Sequence, residues 1–514
     1  MRLKMVIFVS VMLAGLGLCL APSESRAQIE ELTIGIGIDA DTLNPQEQTT
    51  TLFQNMCDLM YDSFFYQDPE GKLHPRLATK YEVSPDGKTY TIHLRKGVKF
   101  SDGTDFNADA VKLTWDRILD PKMRVPLRFA ISMVKDVVKV DDHTVQLKLK
   151  YAFAPLGPTI AMSLVSPISP AALKKYGEDV RQHPVGAGPY FLKEWVKGDR
   201  IVMVRNKNYW GKKPTVEKIT WKVVPEAATR EAMLRTGQID ICYKPLPSNV
   251  AALKADPNIT VEMPLDTRTI FMGLNCQKGA TTNKKVRHAL NYAVDKNAIV
   301  KKILFGTAER MEGPVSPKVF GYAKMAKQYD YDPEKAKQLL KEANFDFSKT
   351  LHMRTPNGRY LFDKQVSEAI QAYLQAIGIK AELRVYDWPT YIAGLLKPLD
   401  KTELEVFLLG WGPLILDADM ALSGQFTCAV NPPKGLGSAF YCNPEYDKIM
   451  KASREEQDPE KRYALLKKAS EVVWEDSPWI WLHVEKFVIA YNSKIKGLVV
   501  TPTEKFYATY ITMD

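Results

Sequence analysis

Residues 76–115 read RLATKYEVSPDGKTYTIHLRKGVKFSDGTDFNADAVKLTW. Tyr90, Ile92 and Leu94 alternate with polar residues, the period of a half-buried strand, which predicts a strand over residues 88–95. Ser84-Pro85-Asp86-Gly87 ahead of it and Asp102-Gly103 after it carry turn chemistry. Asn107 stands where a helix N-cap belongs, so a helix is predicted from there through Ile118. Strand, turn and capped helix in one stretch point to a mixed α/β chain.

Upstream, ELTIGIGIDADTLNPQ (residues 31–46) alternates as a strand and ends in a polar turn. Met56, Leu59, Met60 and Phe64 share a helical face, which predicts a helix over residues 46–65. Downstream, residues 137–149 read as a hairpin with Asp141-Asp142-His143 at its tip. The small residues of Gly186-Ala187-Gly188 permit a close approach of two backbone segments. Strands follow over residues 190–195, 201–205 and 219–224, then a helix over 226–236 ended by Gly237, with 239–241 extended. Near Thr269 the texture changes. Val286, Ala289, Leu290, Ala293 and Val294 mark an amphipathic helix. Asp332-Pro333 and Asp458-Pro459 open two more helices, and residues 362–377 form another, closed by Gly378. Short apolar strands such as residues 406–409 lie between them.

The chain has 514 residues, 70 Lys and Arg against 60 Asp and Glu, and a net charge of +10. At roughly 100 to 200 residues per domain this is about three packed units. The basic residues are scattered, with no stripe interleaved with aromatics, so nucleic acid is not an expected partner. Arg2 and Lys4, the uncharged apolar run at 5–21 and Ser25-Arg26-Ala27 read as a signal peptide over residues 1–27, cleaved near Ala27, which exports the mature protein across the inner membrane. Leu18 before Cys19 argues against lipid attachment. Export permits disulfides. Cys428 and Cys442 flank an NPPKGLGS loop and read as a short-loop bridge; Cys57 reads as a buried thiol, and spacing does not decide whether Cys242 and Cys276 pair.

No two of the seven histidines lie within four residues, so no helical metal pair is expected. Gly35-Ile36-Gly37 leads into a turn rather than a helix, Gly87-Lys88-Thr89 lacks the phosphate-loop glycine, and Ser132-Met133-Val134-Lys135 has no partner motif. The expectation is no enzyme, no cofactor and no metal.

Four ordered blocks carry a family resemblance. They are LHPRLA (73–78) with the strand stretch after it; HPVGAGPYFLKEW (183–195) with NKNYWGKKP (206–214); NKKVRHALNYAVDKNAIV (283–300); and Gly410-Trp411, a cysteine-bounded loop and CNPEYDKIM (442–450). The chain resembles the family 5 extracellular solute-binding proteins, the peptide- and nickel-binding components of ABC importers. The resemblance implies a two-lobed periplasmic-binding-protein fold of type II with an extra subdomain in lobe I. Lobe I would span 28–268, with the extra subdomain at about 46–184; lobe II would span 269–485, and 486–514 would return to lobe I. It implies a monomer that shuts around a small solute, peptide-like in the first place, and delivers it to an inner-membrane ABC permease. The alternatives are a saccharide, an opine-type conjugate or a nickel complex, or service as a periplasmic chaperone or chemoreceptor carrier.

The resemblance places Trp411, Trp388 and the loop of Asp39 and Asp41 in the cleft; Tyr243 and His483 join them as candidates. An acidic residue that pairs with a peptide's ammonium is usual three positions after the Gly-Trp tryptophan, and here that position is Leu414. Two positions that can carry arginine in oligopeptide binders correspond to Leu395 and Leu408. Asp417 or Asp419 are the candidates to replace the missing acid. The expected solute therefore has a blocked or absent amino end.

Overall fold

The computed structural model describes residues 29–513, and three larger sheets, beside three two-stranded ones, organise them. The expected signal over 1–27, its cleavage point and Cys19 lie outside the described residues. The first sheet has seven strands in the order Ile259–Glu262, Ile489–Asn492, Ile241–Tyr243, Ile29–Ile36, Val216–Val223, Arg200–Arg205 and Tyr190–Val196. Ile29–Ile36 sits at its centre, parallel to both neighbours, and its Leu32, Ile34 and Ile36 are fully buried. A strand covered on both faces reads as such a near-continuous apolar run.

The second sheet has six strands in the order Ala308–Arg310, Trp479–Lys486, Leu265–Leu274, Val406–Trp411, Thr350–Pro356 and Lys380–Tyr386. The last three run parallel to one another. The third is an antiparallel sheet of Ala78–Val83, Thr89–Leu94, Thr144–Leu149 and Val134–Asp141, with its own core around Trp115, Tyr90, Ile92 and Leu147. The result is a two-lobed α/β protein with an extra subdomain on one lobe. The chain crosses from the first sheet to the second between Glu262 and Leu265, and back between Lys486 and Ile489. The two crossings run side by side, joined by Phe487 N–H donating to Pro264 at 2.9 Å.

The capping signals act as expected. The Asn107 side chain accepts from the backbone N–H of Asp109 and Ala110, both at 3.1 Å, and opens the helix Ala108–Leu119. Asp332 and Asp458 cap helices Pro333–Glu342 and Pro459–Asp476. The helix expected over 46–65 is shorter, Thr51–Met60. Asn44 ties Gln46 into a turn, and the Phe64 carbonyl accepts from Arg76 and Ala78, which draws the far end into the strand Phe65–Gln67. Tertiary hydrogen bonds here override a helical apolar period.

The helix also stops because Gly188 N–H takes the Met60 carbonyl at 3.0 Å. A Cβ on Gly186 would lie 2.4 Å from that carbonyl oxygen, and one on Gly188 2.5 Å from that of Leu59. The close approach read from the small residues is thus a backbone-on-backbone contact. Cys428 and Cys442 form a disulfide. Cys57 is a buried thiol, and Cys242 and Cys276 are both free.

Candidate functional site

The three parallel strands of the second sheet end at one edge. In open α/β sheets the crevice beyond the carboxyl ends of the strands is where ligands bind. Trp411 is the last residue of Val406–Trp411; Trp388 opens the helix Trp388–Leu395 just after Lys380–Tyr386; Arg359 and Tyr360 follow Thr350–Pro356. All four line one cavity of about 210 Å³. Thr49 and Thr51 of the first lobe, and Leu127 and Phe129 of the extra subdomain, close it from the other side.

Each group is held from below. Asp387 caps the Trp388 helix through Thr390 N–H at 3.0 Å. Gly424 lets the Trp411 ring lie against the helix Ala418–Phe426, since a Cβ there would sit 2.9 Å from Trp411 Cζ2. The indole Nε1 of Trp411 is buried and has no hydrogen-bond partner among the described residues, an orphan donor beside the cavity. The Asp363 carboxylate accepts the backbone N–H of Gly358, Arg359 and Tyr360 at 3.0, 2.8 and 3.1 Å. That knot fixes the loop that presents Arg359. The Arg359 guanidinium lies 4.9 Å from the Trp388 ring centre and 5.5 Å from that of Tyr360. Cation–π contacts of this kind hold a charge in place without neutralising it. Arg359 is exposed and has no carboxylate within ion-pair range among the described residues. It is a ready anion receptor.

Of the residues singled out from sequence, Trp388, Trp411 and Leu414 meet in this cavity. Leu414 packs against the core of the extra subdomain, next to Ile415, which is buried in it. Asp39 accepts from Trp195 Nε1 and Gly198 N–H, and Asp41 from Thr42 N–H; both hold turns. Tyr243 is buried, with its ring centre 5.4 Å from that of Phe487. His483 is buried in its strand, neither ring nitrogen has a hydrogen-bond partner among the described residues, and burial pushes its pKa down to about 3. Leu395 lines the cavity, whereas Leu408 is core, its carbonyl accepting from the Tyr391 hydroxyl.

Asp417 and Asp419 are committed elsewhere. Arg462 grips Asp417 through two bonds of 2.7 Å, and Arg454 Nε donates to Asp419 at 2.8 Å. Neither lines the cavity, so no acid stands in for Leu414 there. Sequence reading missed Arg359 and Arg268, both of which line the cavity. The signal that points to Arg359 is Asn357-Gly358, a turn between a strand and a helix, the place where such sheets present side chains to ligands.

Residues 72–433 match the model of the bacterial extracellular solute-binding proteins, family 5 Middle. The glutathione-binding protein GsiB of Escherichia coli O1:K1 / APEC is 35% identical over 500 residues, covering 96% of this chain and 97% of the relative. Among solved structures, the ABC transporter-associated periplasmic binding protein DppA from Helicobacter pylori, in complex with peptide STSA, superposes with a TM-score of 0.81 at 27% identity, over 95% of this chain and 98% of that one. HbpA2 from Haemophilus parasuis gives 0.84 at 26% identity, over 94% and 100%.

Proposed function

The chain belongs to the bacterial extracellular solute-binding proteins of family 5, and we propose that the solute it captures is a small peptide-like acid, glutathione or a close relative of it. The protein acts outside the cytoplasmic membrane and hands its solute to an ABC permease. In this reading its role is capture, with no bond made or broken in the solute.

One observation carries the reading of the solute: Arg359, exposed in the cavity on an aromatic platform, has no acidic partner among the described residues, while Leu414 stands where an ammonium-pairing acid is usual. A carboxylate fits the first and a lone ammonium is unwelcome beside the second. An ordinary peptide carries its ammonium apart from any carboxylate, and burying it without a partner costs several kcal/mol, on the order of 3–5. In a γ-glutamyl peptide the ammonium sits beside a free carboxylate of its own, so the protein need supply no acid. The cavity, about 210 Å³, is small beside the roughly 300–1,000 Å³ of common ligand pockets, which favours a solute of two or three residues.

The moving bodies are the two lobes, expected at 28–268 with the tail from 486 and at 269–485, with the extra subdomain over about 46–184; the crossing between Glu262 and Leu265 moves the first boundary a few residues earlier, and the helix Thr51–Met60 packs with the first sheet rather than with the subdomain. Asp39, Asp41, Tyr243, Asp417 and His483 act in this reading as supports of turns, core and lobe packing; Trp388, Trp411 and Leu414 touch the solute. Closure around the solute lowers the energy of the shut form. Calorimetry with reduced glutathione, α-linked Glu-Cys-Gly and plain dipeptides tests the reading. Glutathione is expected to bind at least tenfold tighter than either. Dipeptides that bind as tightly, or native mass spectrometry that finds a co-purified saccharide or opine-type conjugate, would refute it.

A further inference from the structure

Where the chain crosses between the lobes, five charged side chains from four separate segments meet. Asp266 and Arg268 come from the strand Leu265–Leu274, Glu485 from Trp479–Lys486, Lys244 from just beyond Ile241–Tyr243, and Glu504 from the C-terminal tail. Carboxylate oxygens of Asp266, Glu485 and Glu504 lie within 4.8 Å of one another. Lys244 Nζ stands 2.9 Å from Glu504, and Arg268 Nε 3.4 Å from Glu485 and 3.6 Å from Glu504. Three acids against two bases leave one negative charge over; Asp266 and Glu504 are buried, while Lys244 reaches solvent.

The oxygens of Asp266 show where the imbalance is settled. Oδ1 accepts from Thr267 Oγ1 and Arg268 N–H, both at 3.2 Å. Oδ2 is buried and no donor among the described residues reaches it. Its carboxylate neighbours only accept, unless one of the group carries a proton. Burial, then the Glu504 charge, push the Asp266 carboxyl well above the usual range. Burial acts the same way on Glu504, but Lys244 and Arg268 outweigh it and hold that group low. The Tyr243 and Tyr360 phenols, which also face these charges, are raised by burial and stay neutral, and Lys505 is taken up by Asp58 at 2.6 Å.

Arg268 belongs to both places. It lines the solute cavity, and a hollow of about 10 Å³ between Asp266, Glu504 and the 412–414 loop shares Thr51, Arg268, Gly412 and Leu414 with that cavity. The hollow has room for about one water. We propose that the crossing is a second anion subsite that works with a proton: the solute carries a second carboxylate, this reaches Arg268, and Asp266 and Glu504 share one proton in the loaded protein. The inference rests on the carboxylate solute proposed at Arg359. With the proton in place the five groups are neutral together, and Arg268, while paired with Glu485 and Glu504, faces the solute across a site with no excess negative charge. Without it, an incoming anion meets an excess negative charge where little water screens it.

Two measurements test this on the full mature protein. Infrared difference spectra between wild type and Asp266→Asn, near pH 7, report whether a protonated carboxyl is present; the wild type, free and loaded with reduced glutathione, is expected to show one that the variant lacks. Glu504→Gln serves the same comparison if Asp266→Asn does not fold. Calorimetry from pH 6 to 10 is expected to show glutathione affinity falling about tenfold per pH unit once the free cluster loses its proton, with one proton taken up per solute in that range. Blocking either glutathione carboxylate as an amide is expected to weaken binding at least tenfold. A wild type with no protonated carboxyl overturns the inference whatever binds, and so does a mono-amide that binds as well as glutathione. If no peptide acid binds at all, the solute reading falls, and with it the second subsite, while the infrared band alone still reports whether the crossing holds a proton.

Discussion

Arg359 shows how much a single residue decides here. Its charge is displayed on Trp388 and Tyr360 rather than cancelled, and its backbone is tied down by Asp363. A hydrogen bond to a charged partner is worth roughly 1.5–3 kcal/mol. Arg359→Ala is therefore expected to weaken glutathione binding by roughly 10- to 100-fold in calorimetry while leaving thermal stability nearly unchanged, because the side chain is exposed. Arg359→Lys recovers only part of the loss, since an ammonium lacks the flat two-pronged donor. An Arg359→Ala protein that titrates like wild type removes the carboxylate from the reading. His483 makes a different prediction. Its unfolded-state pKa is about 6.5, and burial without a partner lowers it to about 3 in the fold. Between those values the unfolded chain binds a proton that the native one refuses. The stability that rests on neutral His483 is thus complete above about pH 6.5 and is lost as the pH falls towards 3. Urea unfolding between pH 4 and 7 is expected to show a shallower decline for His483→Gln than for wild type; parallel declines contradict it.

At the scale of elements, two glycines give opposite expectations. Gly188 meets the end of the Thr51–Met60 helix backbone to backbone, and a Cβ there has no flexible neighbour to displace. Gly188→Ala is expected to cost at least the roughly 1–3 kcal/mol of an overpacked core site. Gly394 lies in the helix Trp388–Leu395, and the nearest atom to an added Cβ is Arg354 Nη1 at 3.9 Å. Gly394→Ala is expected to stabilise by up to about 1 kcal/mol, the difference in helix propensity. Equilibrium denaturation of both variants checks the pair, and equal effects would mean that backbone contact does not set the end of the first helix. The disulfide acts at the same scale. It closes a loop across a separation of 14 residues beside the helix that carries Asp417 and Asp419, and its removal as Cys428→Ser with Cys442→Ser is expected to cost about 3 kcal/mol.

For the whole molecule, what matters is how two lobes meet. The loop after Trp411 reaches across the cleft: Leu416 N–H donates to Gln67 Oε1 at 3.1 Å, and Ile415 sits in the core of the extra subdomain. Ala154 N–H donates to the Arg454 carbonyl at 2.7 Å on the same face. Closing from 1% when empty to 99% when loaded takes about 5.5 kcal/mol of preference for the shut form. A solute held by Arg359 and by aromatic rings from one lobe, and covered by Thr51 and Phe129 from the other, bridges both only when they meet. Small-angle scattering is expected to show a smaller radius of gyration on adding glutathione. Gln67→Ala, which removes a tie made only across the cleft, is expected to lower affinity several-fold without touching the solute. An unchanged radius on saturation contradicts capture by closure.

The sequence by itself determined whatever depends on neighbours along the chain. The alternation of Tyr90, Ile92 and Leu94, the Asn107 cap and the Asp-Pro helix starts are set by spacings of a few residues and the Cys428–Cys442 bridge by a separation of 14, and each is found in place. The four family blocks made the lobed architecture and the capture role legible as well. The length of the first helix was not legible, because Arg76, Ala78 and Gly188 end it from outside. Nor was the solute site complete. That Asp417 and Asp419 are spent on Arg462 and Arg454, that Arg359 has no acidic partner among the described residues, and that residues 244, 266, 268, 485 and 504 share one charge balance follow only from folding. The reason is range: caps and turns act between residues a few positions apart, whereas tertiary hydrogen bonds and electrostatic balance depend on distances through space, and those exist only once the tertiary structure has brought distant segments together.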